Sequence, residues 1–344
     1  MDVMTPNSSI STPRVSVIIP NYNHARYLPQ RIESVLNQTF RDLEVLLLDD
    51  CSPDDSRAVI AKYAAQDTRI RVVLNAQNSG STFKQWNKGF ALIRGEYVWV
   101  AESDDFAEPD LLEKLLVPLL ADEAVVLAYC NSFDVDEYGH VSGTWESFLT
   151  ELGPQWQHDF VAEGLPLVLR YLSFRNFIPN ASAVLMRASA LRAAGPADES
   201  YRLVGDVIFW ARLLARGKMA YVAQPLNYFR THRQNARSKN YENGTTVEEA
   251  SRVPILLRAY GELDPVFVEK AIRFLLELWY NATIHFFIPW SRQRTIFRNF
   301  IVIDPRTRKL IFRTFGRKFF SKASGFRILL GDRLLYRWLK KSGK

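Results

Sequence analysis

The stretch YVWVAESDDFAEPD, Tyr97 to Asp110, sets an unbroken apolar run against a crowd of carboxylates. Tyr97 to Ala101 is apolar at consecutive rather than alternate positions, the pattern of a strand buried on both faces. Glu102, Ser103, Asp104 and Asp105 then arrive together where that strand should end. Neighbouring carboxylates repel one another. A solvated turn tolerates them and a bound divalent cation stabilises them, and the surrounding chain has to decide between the two.

Working outward, similar runs recur at VSVII (15–19), EVLLL (44–48), IRVVL (70–74) and VVLAY (125–129). Between them lie stretches with helical spacing: Tyr27 to Asn37, Pro53 to Ala65, Phe83 to Ile93 and Pro109 to Leu120. Strands rich in Val, Ile and Leu separated by helices predict an α/β fold, a mostly parallel central sheet flanked by helices. Ligands of such folds bind outside the carboxyl ends of the strands. Asn21-Tyr22-Asn23, Asp49-Asp50, Asn75 to Asn78 and Glu102 to Asp105 follow the first four strands in turn. They should therefore line one edge and form one site. No G-x-G-x-x-G follows the first strand and no P-loop lysine motif is present, so the usual dinucleotide and P-loop supports are missing. A cation held by one or two carboxylates and by the ligand's own phosphates would serve instead.

At 344 residues, with 47% hydrophobic and 24% charged, the chain has an ordinary globular composition. Residues 1–13, MDVMTPNSSISTP, read as a flexible tail. Cys51 and Cys130 are too few for a disulfide framework and match no zinc spacing. The N-terminus lacks the basic start and apolar run of a signal peptide, which points to the cytoplasm. FLLELWYNATIHFFIPW, Phe274 to Trp290, carries Glu277, Asn281 and His285 at four-residue intervals; we expect one packed or interfacial helix, not a membrane span. The net charge of +7 is unevenly spread. Residues 292–344 hold 16 Lys and Arg against Asp304 and Asp332, a local +14 that leaves −7 for the remainder.

VSVIIPNYNHARYLPQRIESVLNQTF, then LEVLLLDDCSPDDS, then NSGSTFKQWNKGFALIRGEYVWVAESDD, resembles the family 2 inverting glycosyltransferases of the GT-A fold. The likeness covers roughly residues 14 to 235, with the motifs in family order. It implies a nucleotide-sugar donor, favouring UDP- or dTDP-sugars, and Mn2+ or Mg2+ as cofactor. Pro20, Tyr22 and Asn23 would frame the base and ribose, and Asp50 would accept from the base's ring N–H. Lys84 would lie on the same donor side. Asp104 and Asp105 match the family's acidic metal motif, one facing the ribose and the other the metal; many relatives have Asp where this chain has Glu102. His232, within YFRTHRQNARS, would ligate the metal or donate to the diphosphate, with Arg230 or Arg233 near phosphate oxygens. The crowded carboxylates would then exist for a metal that arrives with the donor.

In YRLVGDVIFWARLLARG, Asp206 matches the family's catalytic base, at the start of a helix from Val207 to Ala215. Gly205 stands where many members carry Glu. An Asp at this place is equally a helix N-cap, and the two roles are compatible. By the same resemblance Trp210 and Asn180 would face the acceptor, a glycan, lipid-linked as for many relatives; Trp210 reads equally well as core.

The expected organisation is a GT-A domain over 14–244 and a helical region over 245–344, basic from 292. Interleaved aromatics and cations in 292–344 suit an anionic membrane surface, on its cytoplasmic face. Such a surface also suits nucleic acid, but no nucleic-acid motif appears. A solvated helical subdomain is the plain alternative. Two other functions stay open: a sugar nucleotidyltransferase, although NYNHARY replaces its Gly-rich basic loop, and an inactive relative acting as a membrane-associated partner protein.

Overall fold

The computed structural model describes residues 12–232, 242–286 and 288–319, the last four of these without their side chains. Arg233 and the basic residues beyond 319 lie outside the described residues, as does most of the N-terminal tail. The chain divides into two compact units. One comprises the residues up to Val168 with Asn176–His232, and the other Leu169–Arg175 with the residues after His232.

The first unit is built on one sheet. Its strands are β1 (Val15–Asn21), β2 (Leu43–Asp49), β3 (Ile70–Leu74), β4 (Tyr97–Val100), β5 (Phe106–Ala107), β6 (Val125–Val135), β7 (Val141–Thr144), β8 (Phe160–Glu163), β9 (Val184–Arg187) and β10 (Lys218–Arg230). The helices are α1 (Leu28–Leu36), α2 (Ser56–Gln66), α3 (Thr82–Phe90), α4 (Leu111–Ala121), α5 (Glu146–Thr150), α6 (Gly164–Leu167), α7 (Ala188–Ala194) and α8 (Gly205–Leu214). The order along the sheet is β3-β2-β1-β4-β9-β6-β10-β5, with β7 beside β6 and β8 beside β10. β3, β2, β1 and β4 are parallel neighbours, and so are β6 and β10; β9 runs against both of its neighbours. The sheet is thus mostly parallel and flanked by helices.

Every residue of β1, β2 and β4 is buried, as the unbroken apolar runs require. Helices cover both faces because each parallel strand needs a crossover to reach the next. β3, at the edge, alternates instead and exposes Val72 and Leu74. β6 continues well past Tyr129, where the apolar run ends, because β10 and β7 pair with its polar second half. The parallel register of β1 on β2 and β4 brings Asn21, Asp49 and the residues after Val100 to one edge.

The second unit contains the helices Thr245–Leu257, Pro265–His285, Trp290–Ile303 and Thr307–Phe319. Val247, Ile272, Leu275, Trp279, Ile296 and Phe300 meet in its core, with Trp279 and Phe300 stacked at 5.6 Å. Asp264 caps the second helix, accepting from the Val266 N–H at 2.9 Å. The run from Phe274 to Trp290 is not one helix, as its sequence led us to expect. The helix stops at His285, and Trp290 opens the next one directly after Pro289, which cannot donate within a continuing helix. Glu277 and His285 are exposed while Leu275, Leu276 and Trp279 are buried. No helix among the described residues is long and apolar enough to cross a membrane.

Candidate active site

At the ends of β1 and β2 a polar network begins with Asn21, whose amide donates to Asp49 Oδ1 (3.0 Å) and Ser52 Oγ (3.1 Å). Asp49 also pairs with Arg57 at 3.0 Å. The next residue, Asp50, is buried and held on several sides. Oδ1 accepts from Asn75 Nδ2 (2.6 Å), the Ser79 N–H (2.8 Å) and Gln85 Nε2 (2.9 Å), and Oδ2 from Ser79 Oγ (2.7 Å). A carboxylate has about four acceptor positions. Three bonds fall on Oδ1, so Oδ2 is the oxygen with capacity left.

Asn23 and Cys51 adopt left-handed backbone, φ 59° and 60°. Asn tolerates this readily, whereas Cys ordinarily does not. Asn23 is fixed there by its N–H donating to Ser52 Oγ at 3.0 Å. Pro20 is buried within β1, while Tyr22 is 45% exposed beside it. Lys84 is exposed on α3, its Nζ 3.5 Å from the Ser79 carbonyl.

The acidic loop after β4 separates its carboxylates into different tasks. Glu102 Oε1 accepts from Trp86 Nε1 at 2.7 Å. Burial, with Asp104 adding to it, pushes the Glu102 carboxyl up to about 8. Asp104 Oδ2 lies 3.0 Å from His232 Nε2. Burial works against its charge, but the His232 bond and the field of His24 outweigh it and hold the carboxyl below its ordinary value. Asp105 points inward, 2% exposed, and accepts from Asn180 Nδ2 (2.9 Å), Ser182 Oγ (2.7 Å) and the Arg230 N–H (2.9 Å). The fully buried Arg31 lies 3.9 Å away and donates through Nε to the Glu102 carbonyl at 2.8 Å. Asp104 and Asp105 therefore face different surroundings.

The structure brings His24 to Asp104 and His232: their candidate ligand atoms all lie within 4.8 Å of one another. Ser103 Oγ sits 2.8 Å from His24 Nδ1. Burial lowers the His24 pKa below its ordinary value against the opposing pull of Asp104, which favours the neutral ring, the form that binds metals. Two imidazoles and a carboxylate are a fitting donor set for a divalent transition ion. Arg230 is committed elsewhere: it donates to the carbonyls of Asp104 (2.7 Å), Asp136 and Glu137 (both 3.2 Å) and to Gln30 Oε1 (2.7 Å). It staples the acidic loop to β10 and leaves no fork for a phosphate.

Asp206 lies in the first turn of α8, where its Oδ2 accepts from Asn176 Nδ2 at 3.1 Å. Trp210, one turn on, is fully buried and packs 6.1 Å from Trp86. Trp86 thus joins the acidic loop, through its indole N–H, to the helix that carries Asp206. Asn180 is buried as well, capping its own 3-10 turn and binding Asp105. The structure gathers Tyr22, Asn23 and Asp50 at one part of the edge and Asp104 with His232 at another; Asp105, Asn180 and Trp210 are turned inward. Sequence reasoning passed over His24, Trp86 and Arg31 and gave Ser103 no role of its own within the acidic cluster. His24 had one available signal, its place three residues after the first strand, at the same edge as the acidic loop.

Polar loops and a His/Asp/His group thus lie at the carboxyl edge of a mostly parallel sheet flanked by helices, the arrangement of the GT-A architecture. Residues 16–167 match the family model Glycosyl transferase family 2. An uncharacterized glycosyltransferase of Nostoc sp. is 31% identical over 277 residues, 79% of this chain and 78% of that protein. Glycosyltransferase GlyG of Streptococcus pneumoniae is 32% identical over 133 residues, 38% of this chain and 44% of its own length. Chondroitin synthase of Escherichia coli is 35% identical over 129 residues, 38% of this chain and 18% of its own. The chain thus spans less than half the length of the last two. S. aureus TarS 1–349 in complex with UDP superimposes with a TM-score of 0.59 at 18% identity, covering 87% of this chain and 83% of that one. Mannosyltransferase PcManGT of Pyrobaculum calidifontis, in complex with GDP-Man and Mn2+, does so at 0.56 and 15% identity, covering 88% and 84%. The chain belongs to glycosyl transferase family 2 and is a glycosyltransferase.

Proposed function

We propose that the enzyme transfers a sugar from a nucleoside diphosphate, UDP or dTDP, to a hydroxyl of a glycan acceptor, with inversion at the anomeric carbon. The observation that carries this reading is the convergence of Asp50, Asp104 and His232 on one sheet edge. The TarS complexes with UDP and UDP-GlcNAc and the PcManGT complex with GDP-Man support a nucleotide-sugar donor. Relatives named as chondroitin synthases and a hyaluronan synthase support a polysaccharide product. A lipid-linked acceptor at the cytoplasmic face of a membrane fits the basic C-terminal region.

In this reading Tyr22 covers the nucleoside and Asp50 Oδ2 accepts from the base's ring N–H. The surrounding donors hold the Asp50 carboxylate in one orientation, which favours a base with a matching N–H. Asp104, His232 and His24 would hold a divalent cation. When bound, such an ion offsets the negative charge gained by the leaving nucleoside diphosphate. Asp206 takes the proton of the attacking acceptor hydroxyl, and Asn176 steadies the carboxylate that does so. A single displacement with one base inverts the anomeric centre. Asp105, Arg31 and Arg230 hold the loop on which Asp104 sits.

A second partner is proposed for the helical unit. Trp290, Arg294, Arg298 and Val302 are exposed at every fourth position of one helix, Trp290 by 72%, while Ile296, Phe300 and Ile303 on its other side are buried. Arg308, Lys309, Phe312 and Arg313 are exposed on the next helix. Aromatic tips among cations suit an anionic lipid surface. Vesicle sedimentation with and without anionic lipid, for the full chain and for one ending before Arg292, tests it; equal binding by both chains would count against it.

The donor reading is tested by assaying transfer from UDP-, dTDP- and GDP-sugars and following the anomeric configuration of the product by NMR. Retained configuration would exclude the single displacement. Transfer by an Asp206→Asn variant at the wild-type rate would exclude Asp206 as base.

A further inference from the structure

We propose that His24, Asp104 and His232 form a metal site that fills in the free protein, with a first-row transition ion rather than Mg2+, before any nucleotide arrives. This rests on reading the strand edge as the donor site, and it changes the order of events expected from the acidic motif. An ion brought in by a diphosphate needs only one or two protein carboxylates, because the phosphates complete its shell. Here three side chains from three separate segments converge instead. His24 follows β1, Asp104 follows β4 and His232 follows β10, and their donor atoms lie within 4.8 Å of one another.

The chemistry of the set selects the ion. Mg2+ prefers oxygen ligands and gives up water reluctantly, whereas imidazole favours transition metals. Two of the three donors are imidazoles. The arrangement is also supported from behind, as metal ligands are. The buried Ser103 Oγ holds His24 Nδ1 at 2.8 Å, which fixes the ring beside the acidic loop. The Arg230 guanidinium holds the Asp104 carbonyl at 2.7 Å, and the same strand end delivers His232 two residues later. His24 and His232 stand edge to face with ring centroids 5.5 Å apart. The Asp104–His232 bond at 3.0 Å keeps two of the ligands together with no phosphate involved.

The position of His24 links the metal to the nucleotide. It follows Asn23 directly, and the Asn23 N–H is tied to Ser52 in the loop that carries Asp50. An ion on His24 therefore restrains the β1 loop beside the nucleoside site, so ion and nucleotide should raise each other's affinity by the same factor.

The test is an electron paramagnetic resonance titration of Mn2+ into metal-free full-length protein without nucleotide, repeated with excess Mg2+ and then with UDP. Expected is tight uptake of Mn2+ by the free protein, resistant to Mg2+, with nitrogen modulation from imidazole in the pulsed spectrum. His24→Ala should weaken uptake by more than ten-fold and reduce that modulation, and Ser103→Ala, acting through His24, should weaken it by about ten-fold. Circular dichroism confirms that each variant is folded. Free-ion signal that persists until UDP is added would overturn the proposal while leaving the donor site intact. Displacement of Mn2+ by Mg2+, or unchanged nitrogen modulation in His24→Ala, would overturn it too. Failure of UDP to bind in the presence of Mn2+ would instead strike the donor reading itself.

Discussion

Replacing Gly205 with Ala should destabilise the protein by about 1–2 kcal/mol, although glycine is a poor helix former. Gly205 opens α8 immediately before Asp206, and a Cβ there would lie 2.6 Å from Phe83 Cε2, 2.7 Å from Cζ and 3.0 Å from Cδ2. Phe83 has little room to retreat. It is 5% exposed, and its ring packs edge to face on Trp86 at 5.3 Å, whose indole N–H is bound to Glu102. Overpacking of this kind costs about 1–3 kcal/mol. The gain in helix propensity from Gly to Ala returns at most about 1 kcal/mol, less at a helix end. A Glu at this position, as many family members carry, needs the same Cβ and more. The glycine is thus the local consequence of Phe83 lying beneath the helix start. Urea unfolding of Gly205→Ala, Phe83→Leu and the double variant measures the effect. Leucine lacks the ring edge that the Cβ would meet, so the alanine penalty should shrink by about 1 kcal/mol in the Phe83→Leu background. A Gly205→Ala protein as stable as wild type, or a penalty identical in both backgrounds, would refute the reasoning.

Glu44 is buried and accepts from Ser16, Arg71 and Arg94 at 2.7–2.9 Å; these bonds outweigh burial and hold its carboxyl below the ordinary 4.5. Its stabilisation is therefore complete above that value and lost as pH falls through the depressed one. Glu44→Gln should cost about 2–4 kcal/mol at pH 7 and progressively less in acid; a penalty independent of pH in chemical denaturation would contradict this. Asp206→Asn should lower transfer by about 10²–10⁴-fold, the range of general-base contributions, with UDP affinity by calorimetry unchanged. Asp105→Asn turns an amide N–H toward the donors of Asn180, Ser182 and Arg230 and leaves Arg31 without its neutralising carboxylate. A loss of about 3 kcal/mol in denaturant unfolding is expected, and a neutral effect would show that Asp105 does not anchor the loop.

β1, β2 and β4 could be read directly from the sequence because both their faces are buried, so their residues are apolar without alternation. β5, β7 and β8 could not, since they are short and exist through pairing with β10 and β6. Asp50 and Asp104 were visible as polar punctuation at strand ends. Asp105 looked the same in sequence, yet it faces inward because Ser182 and Asn180 from a distant turn supply its donors. Trp210 resolves in the same way: its position one turn into α8 faces Trp86, a contact no local pattern displays. His24 and His232 are separated by almost the whole first unit, and only the paths of β1 and β10 bring them together. A buried arginine such as Arg31 looks like the polar face of an amphipathic helix until the carboxylates beneath it are known.

Calorimetric titration of UDP into the wild-type protein and an Asp104→Ala variant, each with and without Mn2+, tests the donor site most directly. Binding that strengthens with Mn2+ in the wild type, and loses that gain in Asp104→Ala, is the predicted result. UDP affinity indifferent to both Mn2+ and Asp104 would contradict the assignment of the acidic edge to the donor.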